Sequence, residues 1–391
     1  MPALRSPRSR DLGIVIGEGR PGPYNAITDV AGVRVGHATI IRGDGPLVRG
    51  QGPVRTGVTV IIPHDGDPRA EPLYAGAHTL NGNGDITGLE WIRETGLFHG
   101  PMAITNTHSL GTVRDALIEL GARDARPGRP SWSLPVVGET SDAQLNDMTG
   151  FHVGLDHVGA ALASATDGPV PEGAVGGGTG MICHEFKGGI GTASRVVPAA
   201  AGGWTVGVLV QANYGRRGLL AIDGVPVGRD IPISEVPSPW DRPRSGLVGP
   251  SSAAWEPARS EGSIIIVVAT DAPLLPHQCT RLAQRAGLGL ARTGGLGSTS
   301  SGDLFLAFAT GNRFHPPGEA AQIGHGVVTV RTLVDPAMDL LFEATVEATE
   351  EAIANALVAA ETMTGRDGIT AHRLPHARLR EVMAKYGRLH G

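Results

Sequence analysis

Gly262-Ser263 stands where the chain changes character, and the change gives a serine hydroxyl a route to chemistry. A serine hydroxyl is a weak nucleophile until a base takes its proton. If the protein cuts its own Gly262–Ser263 bond, Ser263 becomes an N-terminus and its own α-amine can be that base. A free α-amine titrates near ~7.7–8.0, against ~10.4 for lysine, so a useful fraction is neutral near neutral pH. One residue then supplies nucleophile and base, as in threonine–N-terminal-amine pairs. Gly262 has no Cβ, so it tolerates a strained backbone and a close approach of the Ser263 hydroxyl to its carbonyl. Taken alone, a Gly-Ser pair far more often just opens a strand.

Two further sites suit that chemistry. Ser301-Gly302-Asp303 sits at the mouth of an apolar run and offers a hydroxyl and a carboxylate to orient the new amine and relay its proton. Such a carboxylate raises the amine's pKa, whereas burial lowers it. Asn213 ends a strand-like run just before Gly215. Its amide is a neutral oxyanion donor, and one such donor is worth roughly 3 kcal/mol. Each of these is also a plausible turn residue.

Other chemistries find less support. There is no HExxH and no CxxC; His277-Gln278-Cys279 and Cys183-His184 are fragments of ligand sets, so no metal is expected. No Gly-x-Ser-x-Gly elbow occurs. Gly176 to Gly180 and Gly188 to Gly191 tempt a phosphate-loop reading, but Lys187 is followed by Gly188 rather than Ser or Thr. Close-packed strands or tight turns are the better expectation there.

The elements that would position these residues are legible in part. Five consecutive β-branched residues, Ile264 to Val268, follow Gly262-Ser263 and end at Asp271-Ala272-Pro273, which predicts a buried strand. Before it, residues 232–261 hold six prolines among serines and mixed charges and read as a flexible linker. Further strands are predicted at Val54–Ile62, Met102–Thr107, Pro135–Glu139, Trp204–Val210, Asp303–Ala309 and 326–332. Leu12–Ile16, Val33–Val35 and Thr39–Ile41 read as hairpin pieces. Leu80 to Asp85 reads as a loop that can wall a site. Helices are predicted over 110–120, 153–166, 276–290 with Pro276 at its first turn, and 336–364. Strands in groups with a few long helices make a layered α+β pattern rather than regular βαβ alternation.

Bulk properties bound the partners. A 41% hydrophobic content and mean hydropathy near zero describe a globular chain. The net charge of −5, with no basic stripe, makes nucleic acid an unexpected partner. Two cysteines do not form a disulfide framework, which suits a reducing compartment. Met1 to Arg10 is basic but lacks an apolar region behind it, and no run is long enough to cross a bilayer. A frayed N-terminal tail and a cytoplasmic location are expected.

Taken together, these residues resemble the L-aminopeptidase/D-esterase family, the DmpA-type peptidases that include β-peptidyl aminopeptidases. The resemblance runs in order through Asn25 to Val30, Gly52 to Thr59, Leu80 to Gly84, Ile104 to Ser109, Gly176 to Met181, Val210 to Gly215, Gly262 to Ile265 and Ala269 to Leu274. It implies an αββα sandwich, a precursor cut into residues 1–262 and 263–391, and an assembly of commonly four such heterodimers. It implies Ser263 as nucleophile, Ser301 and Asp303 as its orienting partners, Asn213 as oxyanion donor and Glu139 as holder of the substrate's free amine. The implied activity is release of N-terminal residues from short peptides, amides or esters, without a cofactor. An acyltransferase of the ornithine acetyltransferase type, or a catalytically degenerate binding protein, are the alternatives. One departure stands out: members often carry a tyrosine two residues after that glutamate, and here the position is Ser141. Tyr214 or a water are the candidate substitutes.

Overall fold

The apolar run after Gly262 folds as a strand buried along its whole length, and in the computed structural model it lies inside the larger of two sheets. The structure describes residues 6–66, 71–123, 133–240, 262–313 and 328–390. The strands are β1 (Arg34–Arg42), β2 (Val54–Ile62), β3 (Leu73–Gly82), β4 (Leu97–Phe98), β5 (Met102–Asn106), β6 (Val136–Thr140), β7 (Ile182–Cys183), β8 (Phe186–Lys187), β9 (Gly189–Val196), β10 (Thr205–Asn213), β11 (Ser263–Thr270), β12 (Gly302–Arg313), β13 (Met363–Thr364) and β14 (Thr370–Ala371). The helices are α1 (Leu89–Thr95), α2 (Leu110–Arg123), α3 (Leu155–Ala163), α4 (Val227–Asp230), α5 (Pro276–Arg292), α6 (Met338–Ala359) and α7 (His376–Lys385).

The larger sheet runs β4-β3-β12-β11-β10-β9 and the smaller β1-β2-β5-β6. Only the β11–β12 and β5–β6 pairs are parallel. Along β11, Ile264, Ile266 and Val268 join the core under α5 and α6. Ile265, Val267 and Ala269 join the core between the sheets. Burial on both faces is why this strand is apolar without alternation. Helices α2 and α3 cover the outer face of the smaller sheet, over a third core that includes Val58, Val60, Val113 and Val158. The result is an αββα sandwich, the layered α+β class expected.

The glycine-dense stretch serves close packing. A Cβ on Gly191 of β9 would lie 1.9 Å from the Ala352 carbonyl of α6, so the helix rests directly on strand backbone. β9 takes the strand reading offered for this stretch, whereas β3 was not anticipated, and its last residues, Leu80 to Gly82, replace the start of the expected loop.

Several other expectations need correction. Leu12 to Ile16 is no hairpin strand: a 3-10 turn spans Arg10–Leu12. Residues 33–35 and 39–41 belong largely to the single strand β1. No strand forms over the described residues 328–332. The last long helix ends at Ala359, and the tail beyond adds β13, β14 and α7. From Arg8 onward the N-terminus is anchored, because Arg8 pairs with buried Glu172 at 2.7 Å and Ser9 bonds Asn355. Of the expected linker, residues 241–261 lie outside the described residues.

Candidate active site

Strand pairing brings the sequence-predicted residues to one end of the larger sheet. Ser263 opens β11 directly opposite Asn213, the last residue of β10. On the other side of β11, Asp303 pairs with Ile264 at the start of β12. Ser301 immediately precedes that strand. Glu139 comes from β6 of the smaller sheet, which packs across β11.

Hydrogen bonds fix each group. The Ser263 Oγ accepts the Gly302 N–H at 3.0 Å. The Ser301 hydroxyl donates to Asp303 Oδ1 at 2.6 Å. Burial pushes the Asp303 carboxyl up to about 6, against the opposing bonds from Ser301 and the Ile264 backbone. The Asn213 Oδ1 accepts the Ile182 N–H at 2.8 Å, and its Nδ2 donates to the Ser141 carbonyl at 2.9 Å. An amide nitrogen carries two hydrogens. The second takes no acceptor among the described residues. Gly262 adopts φ +152°, and a Cβ there would lie 2.0 Å from the Asn213 carbonyl oxygen, so only glycine fits before Ser263.

A cleft of about 650 Å³ opens over this end of the sheet, lined among others by Ser263, Gly262, Glu139, Asp85, Thr107, Ser141 and Met148. Glu139 is almost fully buried. Burial raises its carboxyl above the usual range, while the Thr107 hydroxyl and the Asp85 N–H, at 3.0 Å, favour the charged form. Ser301 and Asp303 do not line the cleft. They border a separate cavity of about 20 Å³, which shares Gly262 with it. That volume suffices for about one water molecule. Asn213 lies between the two neighbouring segments that hold its amide and is 6% exposed.

Tyr214 does not replace the missing tyrosine. Alternation along the chain turns it away from Asn213, and its hydroxyl bonds Thr293 Oγ1 at 2.6 Å in the core. Ser141 contributes its backbone carbonyl to Asn213, while its side chain is exposed. Sequence reasoning missed this carbonyl and the Ile182 and Gly302 N–H groups, because backbone donors and acceptors leave no residue-type signal. Thr107 was read only as the end of a strand and as part of a resembling string, yet it grips Glu139 directly. Among the described residues no group of three or more His, Cys, Asp or Glu stands together as a metal site. No helix among them is long and apolar enough to cross a membrane.

The pattern of peptidase family S58 matches residues 25–371. The chain belongs to this family. It is 50% identical over 387 residues to the beta-peptidyl aminopeptidase BapA of Sphingosinicella microcystinivorans, covering 99% of this chain and 94% of that one. Among solved structures, a Burkholderia sp. beta-aminopeptidase superposes with a TM-score of 0.86 at 53% identity, covering 97% of this chain and 99% of its own. The L-aminopeptidase D-Ala-esterase/amidase of Ochrobactrum anthropi, described as a variant of the Ntn hydrolase fold, gives 0.84 at 43% identity over 98% and 99%. The S58 chain is therefore a hydrolase, a serine aminopeptidase on an Ntn-type scaffold. The acyltransferase reading is not favoured.

Proposed function

We propose that this S58 aminopeptidase cuts its own Gly262–Ser263 bond and then uses Ser263 to release N-terminal residues from short peptides, with β-aminoacyl substrates foremost. The observation that carries the reading is that Ser263 and Glu139 line one cleft, with Asn213 paired directly opposite Ser263 and Ser301–Asp303 bordering the adjoining cavity. The β-preference rests on the names of relatives at 50% and 53% identity. In self-cutting, Ser263 Oγ attacks the Gly262 carbonyl, the peptide nitrogen leaves with the proton, and water opens the resulting ester. In turnover, the freed α-amine takes the hydroxyl proton as Oγ attacks the substrate carbonyl, then passes it to the departing amine. Water resolves the acyl-enzyme by the same route. Asn213 holds the oxyanion through its second N–H, and Glu139 pairs the substrate's ammonium. Cut chains assembling as a tetramer of heterodimers and a cytoplasmic location belong to the same reading.

The test is the mass spectrum of purified protein, which should show residues 1–262 and 263–391. An active wild-type preparation holding only the whole chain would sink the reading.

Glu139→Gln keeps the shape and removes the charge. Losing one partner of a buried charge pair costs about 2 kcal/mol or more, so kcat/KM for an aminoacyl anilide should fall at least ~30-fold. The loss should be far smaller for an N-acylated ester, which brings no ammonium.

A pH profile follows from Asp303. Its carboxyl, raised to about 6 by burial, must be ionised to hold the α-amine in place. The α-amine, near ~7.7–8.0 when unperturbed, must be neutral to act as base. Both groups act deprotonated, so log kcat/KM should rise steeply below about 6 and more gently above it. Asp303→Asn should flatten the lower limb; an unchanged limb would remove Asp303 from the mechanism.

A further inference from the structure

Lys187, the last residue of β8, is fully buried, and no carboxylate pairs with it among the described residues. Its Nζ donates to the Gly188 carbonyl at 2.7 Å, the Met181 carbonyl at 2.8 Å and the Gly178 carbonyl at 3.3 Å. Burial pulls its pKa down to about 7, while three acceptors match the three N–H bonds of the ammonium form and hold the charge. An unpaired buried cation is costly to keep, so its location matters.

The Met181 carbonyl shares one peptide unit with the Ile182 N–H. That N–H donates to Asn213 Oδ1 at 2.8 Å. The amide of Asn213, held also by the Ser141 carbonyl, carries the N–H assigned to the oxyanion. A continuous line therefore runs from the ammonium through two amides to the reacting carbonyl oxygen. Each amide is polarised along its N–C=O axis, so a cation on the first carbonyl sharpens every N–H donor further along. β7 and β8 form a two-stranded ribbon with Ile182 paired to Lys187, which keeps the line in register.

We propose that Lys187 is a positioning residue for the oxyanion: acting through the Met181–Ile182 peptide and the Asn213 amide, its ammonium supplies positive potential to the tetrahedral intermediate on Ser263. The negative charge that balances this cation is the one that develops during the reaction. The proposal rests on the roles given above to Ser263 and Asn213.

The experiment compares wild type with Lys187→Met, Lys187→Gln, Asn213→Ala and the Lys187→Met/Asn213→Ala double variant. Folding is checked by thermal melting, cutting by mass, and turnover of a β-aminoacyl p-nitroanilide is expressed per cut chain. Lys187→Gln keeps two neutral donors near the same carbonyls and so separates charge from contact. Both lysine variants should lose about 10- to 100-fold in kcat with KM within about 2-fold, a share of what a whole oxyanion donor is worth. Affinity for a β-amino aldehyde, which forms a tetrahedral adduct on the serine, should fall by the same factor, whereas affinity for the free amino acid product should hold. In the Asn213→Ala background, Lys187→Met should add less than about 2-fold, because the two act in series. Full kcat in either lysine variant, or additive losses in the double variant, would overturn the proposal. So would failure of both lysine variants to fold, which would assign Lys187 to the ribbon alone. Loss of the Ser263 reading itself would show separately, as activity retained by Ser263→Ala.

Discussion

Ser263→Ala is expected to accumulate as one uncut chain and to lose turnover by about 10⁴-fold or more, the scale seen when a nucleophile of this kind is removed. Both effects trace to one oxygen. In the whole chain, Ser263 follows Gly262 across one peptide bond and its Oγ is oriented by the Gly302 N–H. Ser263 lines the cleft, and on the proposed mechanism cutting would leave the new α-amine beside the same oxygen. Removing it abolishes the attack that frees the amine and the attack that uses it. The fold should survive, because a methyl group at a 7% exposed position leaves the pairing of β11 with β10 and β12 intact. That pairing also explains why cutting need not separate the fragments. After the cut, β11 would belong to residues 263–391 but remain hydrogen-bonded to β10 of residues 1–262, register Val206↔Thr270 through Asn213↔Ser263. Denaturing gels and intact mass give the cutting result; initial rates on an anilide give the catalytic one. A Ser263→Ala chain that is still cut, or that turns over within tenfold of wild type, would be incompatible with the mechanism.

How much of this could be read from the chain depended on what kind of signal each feature leaves. Ile264 to Val268 announced β11 because burial on both faces demands an unbroken apolar run. β9 was left open between strand and turn because Gly189 and Gly191 also look like turn formers, whereas Gly191 is small so that Ala352 of α6 can lie against it. β3 was hidden by a mixed run, Leu73-Tyr74-Ala75-Gly76-Ala77-His78, whose alternation is weak. At the site, Ser263, Asn213 and Asp303 were legible from their side-chain chemistry at the ends of strand-like runs, and Glu139 from the family resemblance alone. The groups that aim them are the Ile182 N–H, the Ser141 carbonyl and the Gly302 N–H, and a peptide group is the same at every position. Tyr214 was offered as a substitute for the missing tyrosine, although strand alternation alone puts it on the face opposite Asn213. Ser141 looked like a loss and instead supplies a carbonyl, a role open to any residue there.

Asn213→Asp should lower kcat on cut enzyme by about 10²–10³-fold with little change in KM, the cost of one oxyanion donor. The substitution is nearly isosteric, so the strand end and the acceptor for the Ile182 N–H are kept. What changes is the atom that donates to the Ser141 carbonyl. An oxygen there repels the Ser141 carbonyl, 2.9 Å away in the wild type, and offers no hydrogen to a developing O⁻. Below its pKa a protonated aspartic acid can restore one O–H donor. The Asn213→Asp variant should therefore recover part of its kcat as pH falls, where the wild type only declines. Asn213→Ala has no such donor and should show no recovery, which separates loss of the donor from a general disturbance of the strand end. Equal pH profiles for the two variants, or an Asn213→Asp enzyme within threefold of wild type at pH 8, would mean that the oxyanion is held by other groups and that the line from Lys187 ends at a structural amide.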